Sequence, residues 1–227
     1  MNSTMFLTIC SMFYSILLIL FVFKRIDSKK FRGRIYKKLI LTNFIGIIIE
    51  LVCVYTCINY KHMPVFNSIV LRGFLIYLLS WINLFALYIF GVAYPENKIE
   101  KNEKKIKIIS FIVFICMSIV AIVLPMDYIL KNNVIMYTTG KSVQFVYVVS
   151  EIIILLCLFF MFRNTKTFRG SKYAPLFIFI AGGALIMILQ SMHPEWLLMT
   201  AMETFVTFLI CFTSEKELLF NKETEKK

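Results

Sequence analysis

Seven apolar runs divide this chain, and no other feature of the sequence constrains its fold as tightly. They cover 4–23, 39–58, 69–94, 108–124, 143–162, 174–191 and 197–213. A helix that crosses a bilayer needs about 20 consecutive apolar residues, so each run is a candidate span. The third is long enough to tilt or protrude, and the seventh is the shortest. All five prolines, Pro64, Pro95, Pro125, Pro175 and Pro194, fall at or beyond the edges of the runs. Proline breaks or kinks a helix interior, so this confinement supports the segmentation independently. Composition agrees. A soluble domain carries about 25% charged and about 45–50% apolar residues, whereas this chain has 17% charged and 59% hydrophobic. A water-soluble core of this size could not hide so much apolar surface. The expected fold class is all-α: an integral membrane bundle of seven transmembrane helices over residues 1–213, followed by a tail at 214–227.

The connections set the orientation. Lys24, Arg25, Lys29, Lys30, Arg32, Arg34, Lys37 and Lys38 fill the first against Asp27 alone. Connection 95–107 holds five lysines, 163–173 four positive residues, and the tail four more. The alternate connections hold Lys61 in one, Lys131 and Lys141 in another, and none in 192–196. The positive-rich side faces the cytoplasm, which puts the N-terminus outside and the C-terminus inside. Tyr60, Tyr94, Tyr128, Tyr173 and Trp196 fall near the interfaces, as an aromatic belt does. No basic region precedes the first run, so it reads as a retained anchor in the plasma (cytoplasmic) membrane rather than a cleaved signal. The longest outer connection, about 125–142, is large enough for a short cap over the bundle mouth.

The net charge of +12 would suggest nucleic acid as the partner of a soluble protein. Here the charge serves topology, and no nucleic-acid partner is expected. Cys10, Cys53, Cys57, Cys116, Cys157 and Cys211 all lie inside apolar runs, where they read as small buried hydrophobes. With His62 and His193 isolated in connections, no metal site and no cofactor are expected. The chain carries no Ser/His/Asp, Cys/His or HExxH arrangement, so no catalytic residue is assigned. Microbial rhodopsins share the topology, but their retinal needs a lysine in the seventh helix, and 197–213 has none.

Ionisable groups inside a bilayer cost about 2.5–3.5 kcal/mol on insertion scales and mark functional sites by default. Asn43, Glu50 and Cys57 recur every seven residues along one stripe of the second run. Arg72, Ser80 and Asn83 share a face of the third; Gln144, Tyr147 and Glu151 form a stripe on the fifth; Thr200, Glu203 and Thr207 form one on the seventh. Measured from the run edges at about 1.5 Å per residue, Glu50, Glu151 and Glu203 lie at one level in the outer half of the bilayer. The expected ligand site is a polar pocket built on these three carboxyls with Arg72, Gln144, Tyr147, Asn83 and Gln190, at least one glutamate being protonated or neutralised by Arg72. Two bland readings stand beside it. The polar side chains act as interhelical glue worth about 0.6 kcal/mol each, and Arg72 snorkels to the headgroups. Gly182 and Gly183 read as a close-packing surface.

The stretch Ile135-Met136-Tyr137-Thr138-Thr139-Gly140-Lys141-Ser142-Val143, Pro175 opening the sixth run, Gln190 and Pro194 at the next turn, and Phe212-Thr213-x-Glu215 at the end resemble a known arrangement. It is the N-terminal seven-helix sensor region of bacterial histidine kinases, also found ahead of diguanylate cyclase domains. The match covers about 134–215; Ser214, Lys216 and Glu217 depart from the residues usual there. The resemblance implies a membrane-embedded signal-input domain of a two-component system. Its partners would be membrane lipid, an extracellular or lipid-phase ligand, and a second copy or a separate kinase or output protein. Only 14 residues follow Thr213, without a phospho-accepting histidine or a glycine-rich nucleotide site, so no kinase output domain is expected within this sequence. The alternative function is a small transporter or permease component that uses the intramembrane glutamates for cation or proton coupling.

Overall fold

A computed structural model describes residues 2–25, 30–131, 134–164, 174–192 and 198–224. Among them are seven helices, named here in chain order: α1 (Asn2–Arg25), α2 (Phe31–Ile58), α3 (Pro64–Ala93), α4 (Glu96–Val123), α5 (Lys141–Arg163), α6 (Ala174–Met192) and α7 (Met199–Thr224), with a β-hairpin between α4 and α5. Five of them, α1 to α5, are long and apolar enough to cross a membrane. The apolar stretches of the last two are shorter, Ile180–Gln190 and Met199–Cys211. Residues 165–173 and 193–197, among them His193, Pro194 and Trp196, lie outside the described residues.

α3 is the central helix. It packs against α2, α4 and α5, while α7 packs against α1, α2 and α6, and α5 meets α6. Leu75, Leu78, Leu79, Ile82, Phe85 and Ile89 of α3 are buried, at the three- and four-residue spacings that make one helical stripe. Within lipid such packing is held by van der Waals contact rather than by escape from water. The outer faces remain apolar: Ile108, Phe111, Ile112, Ile119 and Val123 of α4 are exposed, a surface that only hydrocarbon can cover without penalty.

Two connections read as loops prove to be helix. α2 begins at Phe31 and α4 at Glu96, so most of 24–38 and 95–107 is wound. The apolar runs miss this because charge interrupts them, but the local chemistry favours helix. Phe31, Ile35 and Leu39 recur at four-residue intervals and are all buried. Pro95, φ −60°, sits at the N-cap of α4, where its missing N–H does no harm. Glu103 pairs with Lys107 one turn on, and Arg34 of α2 reaches the same carboxylate at 2.7 Å. On the other side, Pro64 occupies the first turn of α3 behind a tight turn closed by His62 N–H to Asn59 O at 3.0 Å.

The connection between α4 and α5 forms a hairpin, β1 (Asp127–Lys131) and β2 (Val134–Thr139), antiparallel with Asp127 opposite Thr139 and an irregularity after Ile129. It rests against α2, with the Tyr128 ring 5.9 Å from that of Tyr60. Gly140 closes it at φ +101°, a conformation that L side chains rarely adopt. A Cβ there would also lie 2.9 Å from the Asp127 amide nitrogen. Ser142 then fixes the root, its N–H donating to Pro125 O at 3.0 Å and its hydroxyl to Ala121 O at 2.6 Å.

Candidate functional site

The polar stripes of α2 and α7 meet. Thr200, Glu203, Thr204 and Thr207 occupy one face of α7, and all four are buried. From α2, Tyr36, Asn43 and Glu50 approach at seven-residue intervals. The Tyr36 hydroxyl donates to Thr207 O at 2.6 Å, Asn43 Nδ2 to Thr204 Oγ1 at 3.0 Å, and the Thr200 hydroxyl donates to Glu50 Oε2. Thr8 of α1 makes a second side-chain hydrogen bond to Glu50. Rising residue number on α2 meets falling number on α7, so the two helices are antiparallel along this seam. The Thr204 and Thr207 hydroxyls also bond back to Thr200 O and Glu203 O at 2.8 and 2.7 Å, which satisfies them within their own helix.

α3 closes the seam with a residue that sequence reasoning missed. The Tyr77 hydroxyl donates to Glu203 Oε2, and Tyr77 is buried against α2 at Gly46. A tyrosine in an apolar run carries little signal, although Tyr77 precedes Ser80 by three and so adjoins the stripe recognised on α3. Glu50 lies near enough to Glu203 for their charges to interact.

Beyond Glu203 a small, half-open cleft lies between α3, α5, α6 and α7, with about 40 Å³ of water-accessible space. Leu78, Trp81, Ile82, Ile154, Gly183, Met199 and Met202 make it largely apolar, with Glu203 and Ser150 as its ionisable and hydroxyl groups. Trp81 is held by stacking on Phe85, centroids 5.4 Å apart and planes 5° from parallel. Its lining, apolar walls with a few convergent polar groups, is of the kind that small-molecule sites use. Gly182 packs close to Met202, whose methyl would stand 3.1 Å from a Cβ added there. That proximity fits the packing role read for the Gly182–Gly183 pair.

The expected three-carboxyl pocket is corrected by the structure. Glu50 and Glu203 come together, but Glu151 is exposed on α5. The buried stripe of that helix is Val143, Val146, Ser150, Ile154, Cys157 and Met161, and Glu151 stands one residue, about 100°, away from it. Gln144 is exposed for the same reason. Tyr147 and Gln190 do meet, by a hydrogen bond that links α5 to α6. Asn83 is glue: it accepts from the Ser110 hydroxyl at 3.0 Å and donates to Ser110 O at 3.4 Å. Cys53 and Cys57 make weak bonds to Val70 O at 3.8 Å and Asn67 Oδ1 at 3.5 Å. Among the described residues no cluster of three or more His, Cys, Asp or Glu assembles.

Arg72 neither neutralises a glutamate nor merely snorkels. Its Nη1 donates to Ile122 O and, at 3.3 Å, to Leu124 O. It thus caps the C-terminus of α4, where carbonyls lack partners and the helix dipole is negative. Arg72→Leu should destabilise the protein by about 1–2 kcal/mol, read from denaturant unfolding of the purified chain. Arg72→Lys should restore part of that loss. Wild-type stability in Arg72→Leu would show that the cap contributes nothing.

Compared with protein-family models and with curated proteins, the chain matches none.

Proposed function

We propose that this chain is a membrane-embedded receptor, the signal-input domain of a bacterial transduction system, with seven spans, its N-terminus outside and its C-terminus in the cytoplasm. One observation carries the reading: α7 lines the cleft through Met199, Met202 and Glu203 and continues unbroken past its apolar stretch to Thr224. An occupant of the cleft and whatever lies on the cytoplasmic side therefore share one helix. A ligand biases such an element only by binding one arrangement better than another. The threonine face and the two glutamates give α7 a specific resting position against α2 and α3. The resemblance to sensor regions of histidine kinases supports the same role, with a second copy or a separate kinase as the output partner. On this reading the chain performs no chemistry of its own.

The test is distance. Spin labels at Lys38 on α2 and Lys216 on α7, in the full chain in nanodiscs, should report a shift of several ångströms when a cleft ligand is added. An unchanged distribution at saturating ligand would end the receptor reading. Orientation has its own test. Reporters active only outside the membrane should work when fused after residues 62, 132 and 193, and fail after 30, 101 and 167. External activity after Lys30 would invert the topology.

The transport reading draws on the same two carboxyls, whose hydrogen-bond partners in the structure are hydroxyls. In proteoliposomes under an imposed proton gradient, the receptor reading expects no more flux than empty vesicles show. Flux abolished by Glu203→Gln would favour transport.

A further inference from the structure

The chemistry of the cleft defines what it can hold. Glu203 is 5% exposed and Ser150 4% exposed, yet both line the cavity. Glu203 is bound by Tyr77 through Oε2, and a carboxylate's second oxygen can accept from an occupant as well. Ser150 lines the cleft from the buried stripe of α5, and its hydroxyl oxygen has lone pairs that can accept from an occupant. Apart from the Trp81 indole N–H, the other lining side chains are apolar.

Three ligand classes meet different fates here. An anion would set a second negative charge against Glu203, with Glu50 close by. A neutral hydrocarbon would fill the walls and leave a buried carboxyl and a buried hydroxyl unmet, which costs binding free energy. An organic ammonium satisfies both: its N–H groups donate to Glu203 and Ser150, and its charge cancels that of the carboxylate, which is expensive to leave alone in a low-dielectric interior. The Trp81 face, fixed by Phe85, adds attraction for a cation, while the flexible thioethers of Met199 and Met202 conform to an aryl or alkyl body.

We propose that the cleft between α3, α5, α6 and α7 binds an aryl-alkyl ammonium, with Glu203 as its counter-ion and Ser150 as its second hydrogen-bond acceptor. This deepens the receptor reading and rests on it for its biological sense, but not for its test.

The probes are 2-phenylethylamine, cationic at pH 7, and propylbenzene, its neutral isostere, titrated into the full chain in nanodiscs with empty nanodiscs subtracted. The wild type should bind the amine at least about tenfold more tightly than the hydrocarbon, as expected for a buried ion pair. Glu203→Gln should abolish that preference, and Glu151→Gln, at an exposed carboxylate, should leave it intact. Trp81→Phe should weaken amine binding about threefold. Ser150→Ala keeps the fold and the carboxylate; it should weaken the primary amine severalfold and leave its N-trimethyl analogue, which has no N–H to donate, unchanged. Equal affinity for both probes in the wild type overturns the proposal, as does a preference that survives Glu203→Gln. If Glu203→Gln fails to fold, the Ser150→Ala contrast between primary and trimethylated amines decides. A bound amine with α7 unmoved would uphold the ligand class and overturn the receptor role. Absence of any amine preference would overturn the ligand class, leaving the receptor role to the α7 distance.

Discussion

Gly46→Ala should destabilise this protein by about 2–4 kcal/mol. A methyl group at Gly46 would overlap the ring of Tyr77, and Tyr77 is buried, with no room to retreat. Overpacking a tight core costs about 1–3 kcal/mol. Displacing the ring also breaks its bond to Glu203, a further loss of about 1–3 kcal/mol because the carboxyl is left without its donor. Against these stands the helix-propensity gain of alanine over glycine, about 1 kcal/mol. Steric overlap wins. The control is decisive: in a Tyr77→Ala background the space is vacant, and Gly46→Ala should become neutral or mildly stabilising. Unfolding in both backgrounds, measured in the same detergent, gives the answer. Wild-type stability of the single Gly46→Ala variant would mean that α2 and α3 do not approach as described.

Tyr77→Phe should cost about 2 kcal/mol, and nearly nothing once Glu203 is leucine. The substitution keeps the ring and removes the hydroxyl that donates to Glu203. An isolated interhelical hydrogen bond in a membrane is worth about 0.6 kcal/mol, because the unpacked helices find other partners. The expectation is higher here because Glu203 is 5% exposed, with too little water in reach to replace the lost donor. A buried acceptor left unmet costs more than the bond itself contributed. In Glu203→Leu the Tyr77 hydroxyl has already lost its acceptor, so removing it breaks no bond and costs nearly nothing. A thermodynamic cycle over the four proteins isolates this coupling. Additivity within about 0.3 kcal/mol would show that the two side chains act independently.

The helices were largely legible in the sequence, because prolines mark their edges and apolar runs mark their bodies. The additional turns of α2 and α4 were not, since hydropathy stops at Lys38 and Lys107 whereas backbone hydrogen bonding does not. Half of the site was legible for a related reason. Periodicity identifies which residues share a face, so the Asn43–Glu50 and Thr200–Glu203–Thr207 stripes predicted polar contact between helices. Depth along each run then grouped Glu151 with them, yet depth contains no direction around the bundle, and one residue of rotation put Glu151 outside. Arg72 illustrates a different limit. Its acceptors are backbone carbonyls some fifty positions away, and a carbonyl has no letter in the sequence. Tyr77, Trp81 and Ser150 were hidden because aromatic and small residues in an apolar run look like packing.

The helical reach of α4 into its charged segment has a mechanical consequence. From Ile108 back to Glu96 the helix stands about 18 Å beyond its apolar portion at ~1.5 Å per residue, and a rod that length is a lever. Tilting α4 by about 10° would carry Glu96 some 3 Å sideways while Ile108 stays at the pivot. The Arg34–Glu103 strut yokes the corresponding shaft of α2 to it, so the pair would swing as a single beam. Small rotations among apolar helices would then emerge at this charged end of the bundle as displacements large enough for another protein to feel.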